Sequence, residues 1–251
     1  MVLPLTDDEL KRYQRHILLK EVGGAGQQRL KGARVAVIGA GGLGSPLLLY
    51  LAAAGVGALR IVDDDKVALS NLQRQVLYTV EDLGRPKVEA ATERLAALNP
   101  HVRVEARAVR LAPENAEGLV AGCDLVCDGS DNFLTRAAVS DACVRAGITL
   151  VSAAVGRFDG QLAVFKGRPC YRCLYPEPPG EDEVCATQGI LGTVTGLLGT
   201  MQANAALAEL LELGESLAGK LLLVEAAGLH VRMLTLPPDP DCPACGGAAR
   251  S

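Results

Sequence analysis

The sequence predicts an α/β fold: a doubly wound, mostly parallel sheet carrying an antiparallel extension at its C-terminal side. Three observations predict it. Short apolar runs alternate with longer helix-patterned segments over the first 155 residues, the rhythm of strand–helix–strand units. One run, Arg34-Val35-Ala36-Val37-Ile38, passes directly into Gly39-Ala40-Gly41-Gly42-Leu43-Gly44, the glycine spacing of a Rossmann-like nucleotide loop. The last third changes character and ends in two further strand-like runs.

Taken in order, Thr6 and Glu9 have the spacing of a capping box, with Thr6 as N-cap of a first helix carrying Arg12, Tyr13, Arg15 and His16. Gly23-Gly24-Ala25-Gly26 is expected to break that helix, and a second short one to end near Gly32. The strand at 34–38 and the glycine loop follow. The segment 43–54 is almost wholly apolar and should be a buried helix; 59–63 is a second strand. A helix is expected over 86–98, a strand over 102–106, a helix over 114–121, a strand over 124–128, a helix over 132–146 and a strand over 149–153. Then come a strand at 161–166, a proline- and acid-rich crossover loop at 176–183, a helix over 195–213 and strands at 221–225 and 230–236. No linker divides the chain. Residues 1–251 read as a single domain: an N-terminal helical arm to about 30, a nucleotide-binding half over about 31–155, and a second half over about 156–251.

Composition narrows the class. Apolar residues make up 49% of the 251 and aromatics only 3%, so aliphatic side chains and alanine must build the interior. With 25 Lys and Arg against 29 Asp and Glu, the net charge of −4 gives no basic footprint for nucleic acid. The acidic N-terminus is no secretory signal. The most apolar stretch, 190–213, is interrupted by Gly, Gln, Asn and Glu, which argues against a membrane span. A cytoplasmic protein is expected, and its eight cysteines read as metal ligands or free thiols rather than disulfides.

In the glycine loop, Gly39 permits the tight turn, Gly41 and Gly42 let backbone approach phosphate, and Gly44 allows close helix–strand packing. The helix that begins there offers unpaired N–H groups to an anion. Asp63, 22 residues after Gly41 at a strand end, is placed for ribose hydroxyls. Asn71 and Arg74 are three apart and would face one way if their segment were helical; Lys87 starts the next helix behind Pro86. Three phosphate-capable donors exceed the needs of a dinucleotide and point to a triphosphate. Cys170-x-x-Cys173 and Cys242-x-x-Cys245 form a four-thiolate set suited to a closed, structural Zn²⁺ site. Cys123, Cys127 and Cys143 lie in apolar segments and read as inert core residues. His16, His101 and His230 have no ligand spacing.

In order along the chain, Arg12-Tyr13-Gln14-Arg15, the glycine loop, the run from Asp63 to Gln75, Gly84-Arg85-Pro86-Lys87, the 127–132 segment Cys-Asp-Gly-Ser-Asp-Asn and the first CxxC resemble one family. It is the family of bacterial adenylyltransferases that activate ubiquitin-like sulfur carrier proteins for molybdopterin and thiamine synthesis, relatives of the ubiquitin-activating enzymes. The resemblance spans about 10–247. It implies Mg²⁺ at Asp131, beside Asn132; ATP held by Asn71, Arg74 and Lys87; and ribose at Asp63. It implies an Arg15 that enters the neighbouring subunit's ATP site, and hence a homodimer. In part of the family a cysteine in the crossover loop, here Cys185, links covalently to the carrier.

The implied reaction joins the C-terminal glycine carboxylate of a small sulfur carrier ending in Gly-Gly to AMP, with release of pyrophosphate. The chain stops soon after the second CxxC, so sulfur is expected from a separate donor protein. Two other classes stay open: an NAD(P)-dependent oxidoreductase with a structural zinc, supported by the glycine loop and Asp63, and a non-catalytic scaffold subunit. A third possibility is a sibling activity on another carboxylate or a carbamoyl group in tRNA modification, disfavoured by the acidic balance.

Overall fold

The computed structural model describes residues 4–176 and 189–246. One eight-stranded sheet forms the frame, in the order β3-β2-β1-β4-β5-β6-β7-β8. Its strands are β1 Arg34–Ile38, β2 Ala58–Val62, β3 Arg103–Arg107, β4 Leu125–Asp128, β5 Thr149–Val155, β6 Asp159–Phe165, β7 Lys220–Glu225 and β8 His230–Thr235. The pairings among β1 to β5 are parallel, and β5–β6, β6–β7 and β7–β8 are antiparallel. The predicted doubly wound sheet with its antiparallel extension is thus observed.

The helices are α1 Asp7–Arg12, α2 Gln14–Ile17, α3 Gly23–Gly32, α4 Gly44–Ala54, α5 Lys87–Leu98, α6 Ala116–Val120, α7 Phe133–Ala146, α8 Tyr171–Leu174 and α9 Gly192–Leu211. Aliphatic residues of β1, β2, β4 and β5 pack under α3, α4, α5 and α9 on one face of the sheet. A second core, including Ala36, Ile38, Val126 and Phe165, lies under α6, α7 and α8 on the other. Strands covered on both faces need no polar alternation, which is why β1, β2 and β4 read as continuous apolar runs. No helix among the described residues is long and apolar enough to cross a membrane.

The arm differs from expectation in two respects: its first helix is interrupted at Tyr13, which separates α1 from α2, and the glycines that follow play another part. The Thr6–Glu9 capping box forms, but Gly23 to Gly26 do not break a helix; they open α3. A Cβ on Gly26 would press on Val22 and on Leu211 of α9, at 3.0 and 3.1 Å. That glycine serves close helix packing, and the break falls earlier, over 18–22. Tyr13 is buried, its ring covering Gly55 and its hydroxyl accepting from Asn99 Nδ2 at 2.8 Å. His16 is half-buried, with Nδ1 3.2 Å from Gln27 Oε1, while Gln27 Nε2 donates to the Ala54 carbonyl. The arm is therefore fastened at the C-terminal end of α4.

Candidate active site

Because β1, β2 and β4 are parallel neighbours, their C-terminal ends lie together. Strand order reverses between β1 and β4, and the crevice at such a switch point is where doubly wound sheets bind ligands. The loop after β1 is the glycine loop. Gly39 has φ +88°, a left-handed conformation that favours glycine, and a Cβ there would sit 3.0 Å from the Gly129 carbonyl oxygen. A Cβ on Gly44 would collide with the Gly39 carbonyl, and one on Gly42 would crowd Thr195 of α9 at 2.9 Å. Around Gly41 the nearest atom to such a Cβ is Gln75 Nε2, at 3.6 Å. Gly39, Gly42 and Gly44 are thus required by the fold itself, whereas Gly41 leaves its backbone approachable. No side chain caps the N-terminus of α4; Ser45 N donates to the Gly41 carbonyl at 2.9 Å and Pro46 has no N–H, so the groups left to face an anion are those of the loop up to Gly44.

Asp63 follows β2 beside this loop. Its Oδ2 accepts from Ala40 N at 2.8 Å and its Oδ1 from Asp65 N at 2.9 Å. Tyr78 donates its hydroxyl to the Ala40 carbonyl at 2.9 Å and steadies the loop from beneath. Lys87, first residue of α5, is only 4% exposed. Its ammonium donates to Asp65 Oδ2 at 2.7 Å and lies 3.9 Å from Asp63 Oδ1. Burial pushes the Asp63 carboxyl above the usual carboxylate range, opposed by the Lys87 charge and the N–H groups of Ala40 and Asp65. A lysine this deeply buried beside a half-buried aspartate is not solvated surface charge.

The Ser70–Gln75 segment is a 3₁₀ turn, Leu69–Asn71, continued by Arg74 and Gln75 donating their N–H groups to the Asn71 carbonyl at 3.0 and 2.9 Å. It is therefore a single turn rather than a helix. Asn71 Oδ1 accepts from Ala68 N at 3.1 Å, and Arg74 donates to the Ser70 carbonyl at 3.1 Å. The N-terminus of α9 lies against this turn: a Cβ on Gly192 would meet the Gln73 carbonyl, and lies 3.4 Å from the Arg74 side chain. Sequence reasoning missed Gln75, which is buried with Oε1 unpaired among the described residues. Its place next to Arg74 was the available signal, but nothing local shows that it turns inward.

After β4, Asp131 is exposed and Asn132 half-buried. The cap of α7 is Asn132, whose Oδ1 accepts from Thr135 N at 2.8 Å. Neither Ser130 nor Asp131 does that job, so helix capping does not explain Asp131. Arg15 is exposed on α2, and α2 is anchored where α4 ends. The eleven residues of α4 separate that end from the glycine loop, about 16 Å at 1.5 Å per residue. The structure thus brings the loop, Asp63, Asn71, Arg74, Lys87 and the 129–132 loop to one end of the sheet and leaves Arg15 apart. Cys185 lies outside the described residues.

Four thiols gather elsewhere. Cys170 Sγ is 3.5 Å from Cys242 Sγ, Cys173 Sγ is 3.4 Å from Cys245 Sγ, and all four sulfurs lie within 4.8 Å of one another. A disulfide would need about 2.05 Å, whereas four thiolates at about 2.3 Å from one zinc stand about 3.8 Å apart. The residues fit zinc. Cys170, Cys242 and Cys245 are buried and Cys173 half-buried, and a zinc held by all four would have no open position. They sit beside Val144 near the end of α7, away from Asp131 at its start. Cys123, Cys127 and Cys143 are buried, as expected. Burial pushes all three thiols up, Cys143 to about 12.

The ThiF family model matches residues 13–244. The chain belongs to the ThiF family. Among the relatives of this ThiF-family protein is the sulfur carrier protein adenylyltransferase of Thermus thermophilus, 51% identical over 96% of this chain and 92% of its own. The sulfur carrier protein ThiS adenylyltransferase of Escherichia coli is 43% identical over 97% of this chain and 98% of its own. The solved structure of E. coli MccB with MccA-N7isoASN has a TM-score of 0.85 at 22% identity, covering 95% of this chain and 75% of that one, a likeness of fold. This ThiF-family chain is an ATP-using adenylyltransferase.

Proposed function

We propose that the chain adenylates the C-terminal glycine carboxylate of a small ubiquitin-like sulfur carrier protein, releasing pyrophosphate. The observation that carries this reading is Lys87, held nearly buried beside Asp63 at the glycine loop. A dinucleotide oxidoreductase has no triphosphate for such a lysine to grip. In this reading residues 31–155 form the nucleotide-binding half of one adenylation domain, and 156–251 the carrier-binding and zinc half.

The chemistry needs no general base. A peptide carboxylate has a reference pKa of about 3.3–3.7 and is ionised near neutrality. Its oxygen attacks the α-phosphorus, forming a C–O–P linkage. The α–β phosphoanhydride breaks, and its electron pair leaves on pyrophosphate. Two anions must be brought together, so positioning and cationic charge dominate. Lys87 and Arg74 would meet the polyphosphate, Asn71 would orient it, Asp63 would hold the ribose, and the N–H groups around Gly41 would face the phosphates. Asp131, next to Asn132, would hold Mg²⁺, which neutralises phosphate charge when bound. Cys185 would act only after adenylation, and a separate protein would donate sulfur. A cytoplasmic setting suits the reduced thiols.

Candidate carriers ending in Gly-Gly, supplied with ATP and Mg²⁺, should support ATP–pyrophosphate exchange and gain the mass of one adenylate. Removing the last glycine should abolish exchange far more than docking. Equal adduct on a carrier lacking that glycine would rule the mechanism out.

Arg15 would act across a homodimer. Mixed Arg15→Ala and Asp131→Ala subunits should then recover activity, because each heterodimer keeps one complete site. Verified heterodimers with no recovery would return Arg15 to a role within its own chain.

A further inference from the structure

Asp128 ends β4 and is completely buried, yet nothing in the proposed chemistry uses its carboxylate. It is also not in the hydrophobic interior by accident of packing. Oδ1 accepts from Ser130 N at 3.0 Å and from Ser130 Oγ at 2.7 Å, and Oδ2 accepts from Ser152 Oγ at 3.1 Å. Arg136, one turn into α7, sends Nε and Nη2 to the Ser130 carbonyl at 3.1 and 2.6 Å. Gln202 of α9 donates to the carbonyls of Asp128 and Val151 at 2.8 and 2.9 Å. The next residue, Gly129, donates to the Ile38 carbonyl at 2.9 Å and packs under the start of α4.

Burying a carboxylate is costly unless it is fully hydrogen-bonded. Here two of its three bonds go to one short loop, 129–132, gripped from Asp128 below and from Arg136 ahead, and the third ties it to Ser152 of β5. We propose that Asp128, acting through Ser130 with Arg136, is a positioning residue of the nucleotide site that fixes the loop carrying Asp131 and Asn132. The inference rests on the reading of that loop as part of the Mg·ATP site. Asp128 itself touches no substrate. It determines where Asp131 points, as outer-shell partners of metal ligands do.

The test compares Asp128→Ala, Asp128→Asn, Ser130→Ala and Asp131→Ala in the full chain. Loop amide hydrogen exchange is read first, then ATP affinity by calorimetry with Mg²⁺ and with EDTA. Ser130→Ala should exchange the 129–132 amides about fivefold faster, the loss of one ordinary hydrogen bond, and Asp128→Ala, which removes all three bonds of the carboxylate, at least as fast. Both should bind Mg·ATP about tenfold more weakly, while affinity in EDTA moves little. Asp128→Asn should stay close to wild type, because Ser152 Oγ can turn to accept from the new amide. Ser130→Ala leaves no large cavity and decides the matter if Asp128→Ala does not fold.

Wild-type loop exchange and Mg·ATP affinity in folded Ser130→Ala would overturn the proposal, whatever happens to melting temperature. Asp131→Ala separates the two readings. If it binds Mg·ATP normally while Ser130→Ala does not, Asp131 is no metal ligand and the positioning role stands through the rest of the loop. If it alone is impaired, the Mg²⁺ reading stands and the positioning role falls.

Discussion

Lys87→Ala is expected to lower ATP–pyrophosphate exchange by about 10²–10³-fold, the usual loss when one preorganised charge is removed from a developing anion. It should also weaken the fold. Asp65 is exposed and regains water, but Asp63 is largely enclosed, with a side chain 9% exposed. Ala40 and Asp65 still donate to both of its oxygens, so losing the nearest opposite charge should cost on the order of 1 kcal/mol. The pH dependence carries a distinctive sign. Burial already holds Asp63 above its ordinary pKa, with Lys87 as the chief opposing charge. Without Lys87 the folded-state pKa rises further, so the folded protein keeps a proton that the unfolded chain releases. Stability of the variant therefore falls as pH rises through that pKa, and its deficit is greatest above it. Urea unfolding of both proteins across the acidic to neutral range reads this directly. A deficit independent of pH, with wild-type exchange, would remove Lys87 from the site and from contact with Asp63.

Zinc at one atom per chain is the second large expectation. Cys242→Ser, or removal of metal by a strong chelator, should lower the melting temperature by about 5–15 °C, since metal binding is coupled to folding of the region it ties together. The route into the core is specific. Cys170 precedes α8, whose Tyr171 is 2% exposed against Phe165 and donates its N–H to Ser140 Oγ of α7 at 3.3 Å. Arg172 is paired with Asp141 of the same helix. Loosening the second knuckle should therefore slacken α8 against α7, while nucleotide affinity changes little because Asp131 lies at the other end of α7. Metal analysis of protein purified without chelator checks the stoichiometry. A zinc-free protein with undiminished stability would defeat this expectation.

Much of the site was legible because its signals are local. The glycine spacing, the apolar strand before it and an aspartate closing the next strand form a short, recognisable pattern, although the contacts they serve reach Gly129, Thr195 and Ala40. The CxxC pairs announce their chemistry through thiolate spacing, although 68 residues separate them. Asp128 and Gln75 were not legible. Asp128 was placed at the end of its strand, but nothing local shows that its carboxylate is buried or that Ser130 and Ser152 bind it. The glycines at 23–26 misled for the same reason. Of these, Gly26 answers Leu211 of α9, nearly two hundred residues away.

By itself the sequence determined the alternation of strand and helix, the nucleotide loop and the four-cysteine set, because backbone propensity, apolar period and ligand spacing act over a few residues. Only the tertiary structure decided which charges meet. Lys87 stands against Asp65 and Asp63, Asp128 turns inward under the loop that carries Asp131, and Arg15 sits at the far end of α4. Those outcomes depend on strand order and burial. Coulombic and desolvation energies are set by distance in space and access to water, and neither is written in the spacing of residues along the chain.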